Sequence, residues 1–132
     1  MAHLKVENVA TLEIDFSDLK LEQVKTVIKG KPVVIIHFRG KINNENYHAL
    51  NRKIYGFANG QDYNLILDLS RLEYINSSGV AILFHLFSRV HKNNGRVLIG
   101  GVHRFLRRVF SLMDLPPEVR IYEDLKEAES AF

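Results

Sequence analysis

The chain reads as an α/β domain: a mixed β-sheet of four or more strands, with about four helices packed mainly on one face. Three observations lead there. Two β-branched, apolar runs near the start flank a short glycine-containing break, which is the pattern of a hairpin. Past that point strand-like runs alternate with segments of helical periodicity, as parallel βαβ units require. The chain is 132 residues long, the size of one domain able to bury a core without staples.

Met1 to Lys20 is the least patterned stretch. Within it Ala10 to Phe16 alternates apolar and polar, as a half-buried strand does, and Ser17-Asp18 is a turn signal. Gln23 to Lys29 alternates again, Gly30-Lys31-Pro32 breaks it, and Val33 to Arg39 is a nearly continuous apolar strand that Gly40 ends. Asn43 or Asn44 suits the N-cap of a helix from about Glu45 to Asn59, with Tyr47, Leu50, Ile54 and Phe57 or Ala58 as its core stripe and Gly60 at its C-terminal end. Leu65-Ile66-Leu67 is a short buried strand, which Asp68-Leu69-Ser70 leaves; Leu72, Tyr74 and Ile75 anchor the connection that follows. Val80 to about Asn93 is a strongly apolar helix closed by Asn94-Gly95. Arg96 to Gly101 is a further strand. His103 to Met113 is a helix expected to bury Val102, Phe105, Leu106, Val109 and Leu112. Pro116-Pro117 breaks the chain, Val119 to Tyr122 is a last strand, and Glu123 or Asp124 starts a terminal helix running to Phe132.

Composition narrows the function classes. Apolar residues make up 46% and charged residues 25%, ordinary for a globular domain. With no cysteine there is neither a disulfide framework nor a thiolate metal site. The six histidines (His3, His37, His48, His85, His91, His103) show no metal-ligand spacing. No apolar run is long enough to span a bilayer, and the first residues lack the pattern of a signal peptide, so a cytoplasmic protein without membrane insertion is expected. Net charge is only +3; the densest basic cluster, Arg104, Arg107 and Arg108, fits a solvated helix face better than a nucleic-acid interface. No phosphate-binding glycine loop is present, so no cofactor is expected.

The most informative stretch runs from Asn64 to Arg89. Asn76-Ser77-Ser78-Gly79 stands just before the apolar helix. Small hydroxyl and amide side chains there accept orphan backbone N–H groups, so Ser77 and Ser78 suit capping. The same position lies at the positive end of a helix dipole, where a serine can carry a phosphate at little electrostatic cost.

The string Asp68-Leu69-Ser70, a spacer, an apolar pair, then Asn76-Ser77-Ser78-Gly79 resembles the signature of STAS domains. It is most similar to the anti-sigma factor antagonist branch, with its D-L-S-x-x-x-x-[I/M]-D-S-[S/T]-G pattern followed by a helix. Phe38 to Asn43 resembles the family's L-x-G-x-[L/I]-[D/N] entry into its first helix. The resemblance implies a STAS domain over residues 21–132, preceded by an extension over 1–20. It implies a binding module that holds a serine-kinase anti-sigma factor when unphosphorylated, is switched off by phosphorylation at Ser77 (Ser78 as the alternative), and is reset by a serine phosphatase. ATP is bound by the partner. Asp68, Ser70, Asn76, Ser77, Ser78 and Gly79 are then the partner-binding residues. One position departs: where the family carries Asp, this chain has Asn76, which keeps the hydrogen-bonding shape and drops the charge.

Two other classes stand beside this one. A STAS module with an output other than a sigma factor, in another partner-switching or transport-associated system, fits the same residues. A small serine hydrolase using Ser77 or Ser78 with His85 and Asp68 rests on proximity in sequence alone, and His85 lies two turns beyond Ser77. No catalytic residue is therefore assigned.

Overall fold

A computed structural model describes residues 10–57 and 64–132. Six strands form one sheet in the order of the sequence: β1 (Ala10–Phe16), β2 (Leu19–Ile28), β3 (Lys31–Ile42), β4 (Asn64–Ile75), β5 (Arg96–Val102) and β6 (Arg120–Tyr122). The first two pairings are antiparallel and the last three parallel, so the sheet is mixed, as expected. The reason lies in the connections. β1, β2 and β3 are joined by two-residue turns, Ser17-Asp18 and Lys29-Gly30, in which Asp18, Lys29 and Gly30 have positive φ. Such turns match the twist of a hairpin. The later strands are separated by helices long enough for crossovers.

The helices are α1 (Tyr47–Phe57), α2 (Ser77–Lys92), α3 (Arg107–Ser111), which continues a 3-10 turn at Arg104–Leu106, and α4 (Leu125–Ser130). The first three share one face of the sheet: Leu50 and Ile54 of α1, Ile82, Leu83, Leu86, Phe87 and Val90 of α2, and Phe110 of α3 pack on Ile36, Phe38, Leu65, Leu67 and Ile99. Among the described residues the other face is covered by α4 and the residues just after it, through Ala128 and Phe132 against Ile35, Ile66 and Leu98. α4 crosses only part of that face, and no other described helix covers the sheet beyond it.

β2 and α2 start earlier than the sequence reading, at Leu19 and Ser77, and four further elements differ from it. β3 does not end at Gly40 but continues to Ile42, because Gly40 takes φ +111° and lets the Asp18 carbonyl approach where a side chain would stand. β4 does not end at Asp68; it runs on to Ile75 through bulges that keep Leu69 and Leu72 both in the core. α1 starts at Tyr47, after a turn whose amides, those of Glu45 and Asn46, are capped by the Asn43 side chain; Ala58, Asn59 and the Gly60 cap lie outside the described residues. The helix expected from His103 shrinks to a 3-10 turn and one short helix. Only Leu106 and Phe110 of it are buried, Val102 belongs to β5, and Phe105, Val109 and Leu112 are 69%, 38% and 76% exposed. The apolar arc of this segment is wider than the strip the core can cover.

Candidate functional site

The centre of the site is the start of α2. Asn76 is the N-cap: its backbone is extended, its Oδ1 accepts the Gly79 amide at 2.8 Å, and its carbonyl accepts Val80. Ser77 and Ser78 are therefore not the caps. They occupy the first two helical positions, because the amide oxygen of Asn76 reaches the third residue of the turn and leaves the hydroxyls outside. Ser77 is exposed and Ser78 half-buried. Among the described residues neither hydroxyl and neither backbone amide has a hydrogen-bond partner. The first turn carries no acidic residue. An exposed hydroxyl thus sits against two open N–H donors and an uncompensated positive helix end.

Several contacts fix the turn in place. The Asn76 amide donates to the Ile42 carbonyl at 3.1 Å, which ties the cap to the end of β3. The Asn76 Nδ2 donates to Asn44 Oδ1 at 3.0 Å, joining it to the β3–α1 loop. Gly79 faces Ile42 and Ile75 so closely that an added Cβ would lie 2.7 Å from a side-chain carbon of each. The glycine is there to let the helix rest on the ends of two strands. Behind this loop Asn46 is 1% exposed; its amide donates to the carbonyls of Ser17 and, at 2.8 Å, Lys41. The β1–β2 turn, the end of β3 and the site loop are one hydrogen-bonded unit. The resemblance pointed to neither Asn44 nor Asn46. The run of amides Asn43, Asn44 and Asn46 was the signal, but it identifies capping residues without saying which distant carbonyl they reach.

Asp68 and Ser70 form a second, separate cluster. They precede Ile75 by seven and five positions in β4, so Asp68 lies roughly 20 Å along the strand from the site turn. The Asp68 Oδ2 meets His37 Nδ1 at 2.7 Å across the β3–β4 pairing, and its Oδ1 accepts both the Ser70 amide at 3.1 Å and the Ser70 hydroxyl at 2.6 Å. The hydrogen bond to Asp68 holds the His37 imidazole above its ordinary pKa, against burial. For Asp68 burial alone would push the carboxyl up, but the hydrogen bonds from His37 and Ser70 together outweigh it and leave it below its ordinary range. His37 was seen in the sequence only as one of six histidines; the parallel register that seats it opposite Asp68 is a long-range fact.

The geometry also bears on the hydrolase reading. The acid that was to serve His85 is bonded to His37 instead, while His85 is exposed on α2.

A family model for the STAS domain matches residues 19–128. The chain belongs to the STAS domain family. A Thermotoga maritima protein named as a candidate anti-sigma factor antagonist is 28% identical over 97 residues, covering 73% of this chain and 86% of its own. A crystal structure of a Thermotoga maritima protein with the same description superposes with a TM-score of 0.69 at 25% identity, over 81% of this chain and 91% of that one. The Bacillus cell fate determinant SpoIIAA in its phosphorylated form shares the fold, with a TM-score of 0.59 at 17% identity, over 93% of this chain and all of that one. The six-stranded mixed sheet with four helices is thus the STAS fold with β1 at its edge. All of β1 lies before the matched residues.

Proposed function

We propose that this STAS protein is an anti-sigma factor antagonist. In its unphosphorylated form it binds a serine-kinase anti-sigma factor, and phosphorylation at Ser77 switches it off, so that it regulates transcription by partner switching in the cytoplasm. The observation that carries this reading is Ser77 itself: exposed, first in α2, its hydroxyl unpartnered among the described residues, beside open amides and no acidic neighbour in the turn. Ser78, half-buried, is the poorer acceptor. The stripe of Phe105, Val109 and Leu112 supports a binding role, because large apolar side chains left uncovered on the helix-bearing side of the sheet mark a surface that a partner covers.

The mechanism follows from charge. The partner kinase transfers the γ-phosphoryl group of its own ATP to the Ser77 oxygen; the hydroxyl proton is lost and ADP leaves. The phosphate adds close to two negative charges at the contact. Within this protein the start of α2 absorbs them, so the fold persists. At the interface the same charges must be desolvated against partner groups arranged for a neutral hydroxyl, and affinity falls. A serine phosphatase resets the switch. Asn76 suits this scheme, since both of its amide atoms are engaged in holding the turn and it places no carboxylate against the phosphate.

Phosphopeptide mass spectrometry on protein taken from its native cell tests the reading. Trypsin releases Leu72 to Arg89 as one peptide, and the phosphate is expected on Ser77. Ser77→Asp is expected to fold like the parent and to lose partner affinity in a calorimetric titration. Unchanged affinity with intact folding would sink the mechanism. A STAS partner with no kinase activity, recovered together with an unmodified peptide, would assign the module to a pathway without a sigma factor.

A further inference from the structure

The open part of the sheet face that carries α4 holds a second feature. Across the parallel β3–β4 pairing Arg39 stands opposite Arg71, and across the antiparallel β2–β3 pairing Lys20 stands opposite Arg39. Three cations therefore share one row over three strands. Like charges directly opposite one another destabilise a sheet. Lys20 has a counter-ion, Asp15 at 3.7 Å, but among the described residues Arg39 and Arg71 have none. The row beside it holds Glu22, His37 and Asp68, and with Arg39 and Arg71 these line a cavity of about 320 Å³ with Ser70 at its edge.

The charges in that cavity are not equivalent. Asp68 is committed to His37 on one oxygen and to Ser70 on the other. His37 donates Nδ1–H to Asp68, so its Nε2 carries a proton and can donate when the imidazole is in its charged form. Glu22 is the one remaining acid of the lining. Two guanidinium forks and an imidazole edge thus border a space large enough for a small molecule. Among the described residues no group of three His, Cys, Asp or Glu side chains has the geometry to hold a metal ion, so the acids do not make this a cation site. Guanidinium pairs match tetrahedral oxyanions because each fork presents two parallel N–H donors.

We propose that this cavity binds the phosphate group of a small molecule, gripped between Arg39 and Arg71, with the charged form of His37 adding Nε2–H as a further donor. Such a ligand removes the repulsion between the opposed guanidiniums. It also sits on β4, the strand whose end carries the Asn76 cap, at a place distinct from Ser77. This site does not depend on Ser77 being a phosphorylation site.

The test is an NMR titration of the whole protein, labelled with nitrogen-15, with inorganic phosphate at constant ionic strength and sodium chloride as control. Saturable shifts are expected at residues 37, 39 and 68–71. In an Arg39→Gln, Arg71→Gln double variant, whose spectrum elsewhere reports an intact fold, binding should weaken at least about tenfold. Glycerol 1-phosphate as a second probe distinguishes the sources. Tighter binding than inorganic phosphate assigns the site to a phosphomonoester, and equal binding assigns it to free phosphate. Shifts confined to Ser77, Ser78 and Gly79, shifts reproduced by chloride, or undiminished affinity in the double variant would overturn the proposal.

Discussion

Ser70 and Ser77 lie seven positions apart in one signature, yet the structure treats them in opposite ways. Ser70 is turned onto Asp68, with its amide and its hydroxyl both bonded to one carboxylate oxygen. The Ser77 hydroxyl and amide bond to nothing within the described residues, and the residue stands at an uncompensated helix end. The first belongs to a charged cluster that holds β3 to β4; the second belongs to a turn built from neutral amides. Ser70 is exposed but already bonded within the fold, whereas Ser77 leaves its hydroxyl open at a helix start. The signature read as a single surface is two neighbourhoods, and the perturbations below separate them.

The largest effect should come from the glycine that seats the Ser77 turn. A Cβ at Gly79 would lie 2.7 Å from carbons of both Ile42 and Ile75, two buried side chains with little room to move. Gly→Ala inside a helix ordinarily gains up to about 1 kcal/mol. Here overpacking, about 1–3 kcal/mol, outweighs it, so Gly79→Ala should lose about 1–2 kcal/mol in urea unfolding. Gly56 in α1 is the control: a Cβ there meets nothing within 4 Å, and Gly56→Ala should gain a few tenths of a kcal/mol, roughly. Equal changes at both positions would mean that α2 does not rest on the strand ends.

What the sequence disclosed, and what it withheld, follows the same division. Local signals were legible: the hairpin break at Gly30, the Asp124 cap whose side chain accepts Glu127, and the apolar stripe of α2. Each depends on neighbours within one turn. Partnerships set by register were not legible. Nothing near His37 in the chain says that it faces Asp68, because that requires β3 and β4 to be parallel and aligned. The end of β4 was misplaced for a related reason. Asp-Leu-Ser reads as a strand exit, and a bulge that keeps Leu69 and Leu72 in the core while the strand continues has no period-2 signature. Phe105, Val109 and Leu112 were assigned to the core because helical spacing tells which residues share a face, not whether another element covers it.

An intermediate effect should distinguish the charged neighbourhood by its pH dependence. His37 titrates above its ordinary value of 6.5, so its contribution is full below that pH and disappears as the pH rises through the raised value. Asp68 titrates below its ordinary value of 3.8, so its contribution is full above that pH and disappears as the pH falls through the lowered value. The pair therefore stabilises most between roughly pH 4 and pH 6.5. His37→Gln should cost more stability at pH 5.5 than at pH 8.5, with the difference under about 1 kcal/mol for so accessible a pair. The Ser77 turn, which contains no titrating group, should leave the pH profile of Ser77→Ala parallel to that of the parent. A flat difference for His37→Gln would remove the ion pair from the account.

The smallest effect is expected at the position where this chain departs from its family's usual acid. Asn76→Asp retains the oxygen that caps Gly79 and places a carboxylate at the helix start, which favours stability by about 0.3–1 kcal/mol. It also loses the donor to Asn44 Oδ1 and sets two oxygens against each other, until the exposed Asn44 amide turns over to present its nitrogen. These terms nearly cancel, and thermal unfolding should differ little between the two proteins. Phosphorylation breaks the balance. In the parent a phosphate on Ser77 finds the positive helix end unshared, and the modified protein should melt higher than the unmodified one. In Asn76→Asp the carboxylate already occupies that field and repels the phosphate, so the same modification should raise the melting point less or lower it. The four melting points form a double-mutant cycle whose coupling term isolates the repulsion. A coupling of zero would place the phosphate away from the helix end. The neutral amide would then matter only for the turn's hydrogen bonds, not for accommodating the charge.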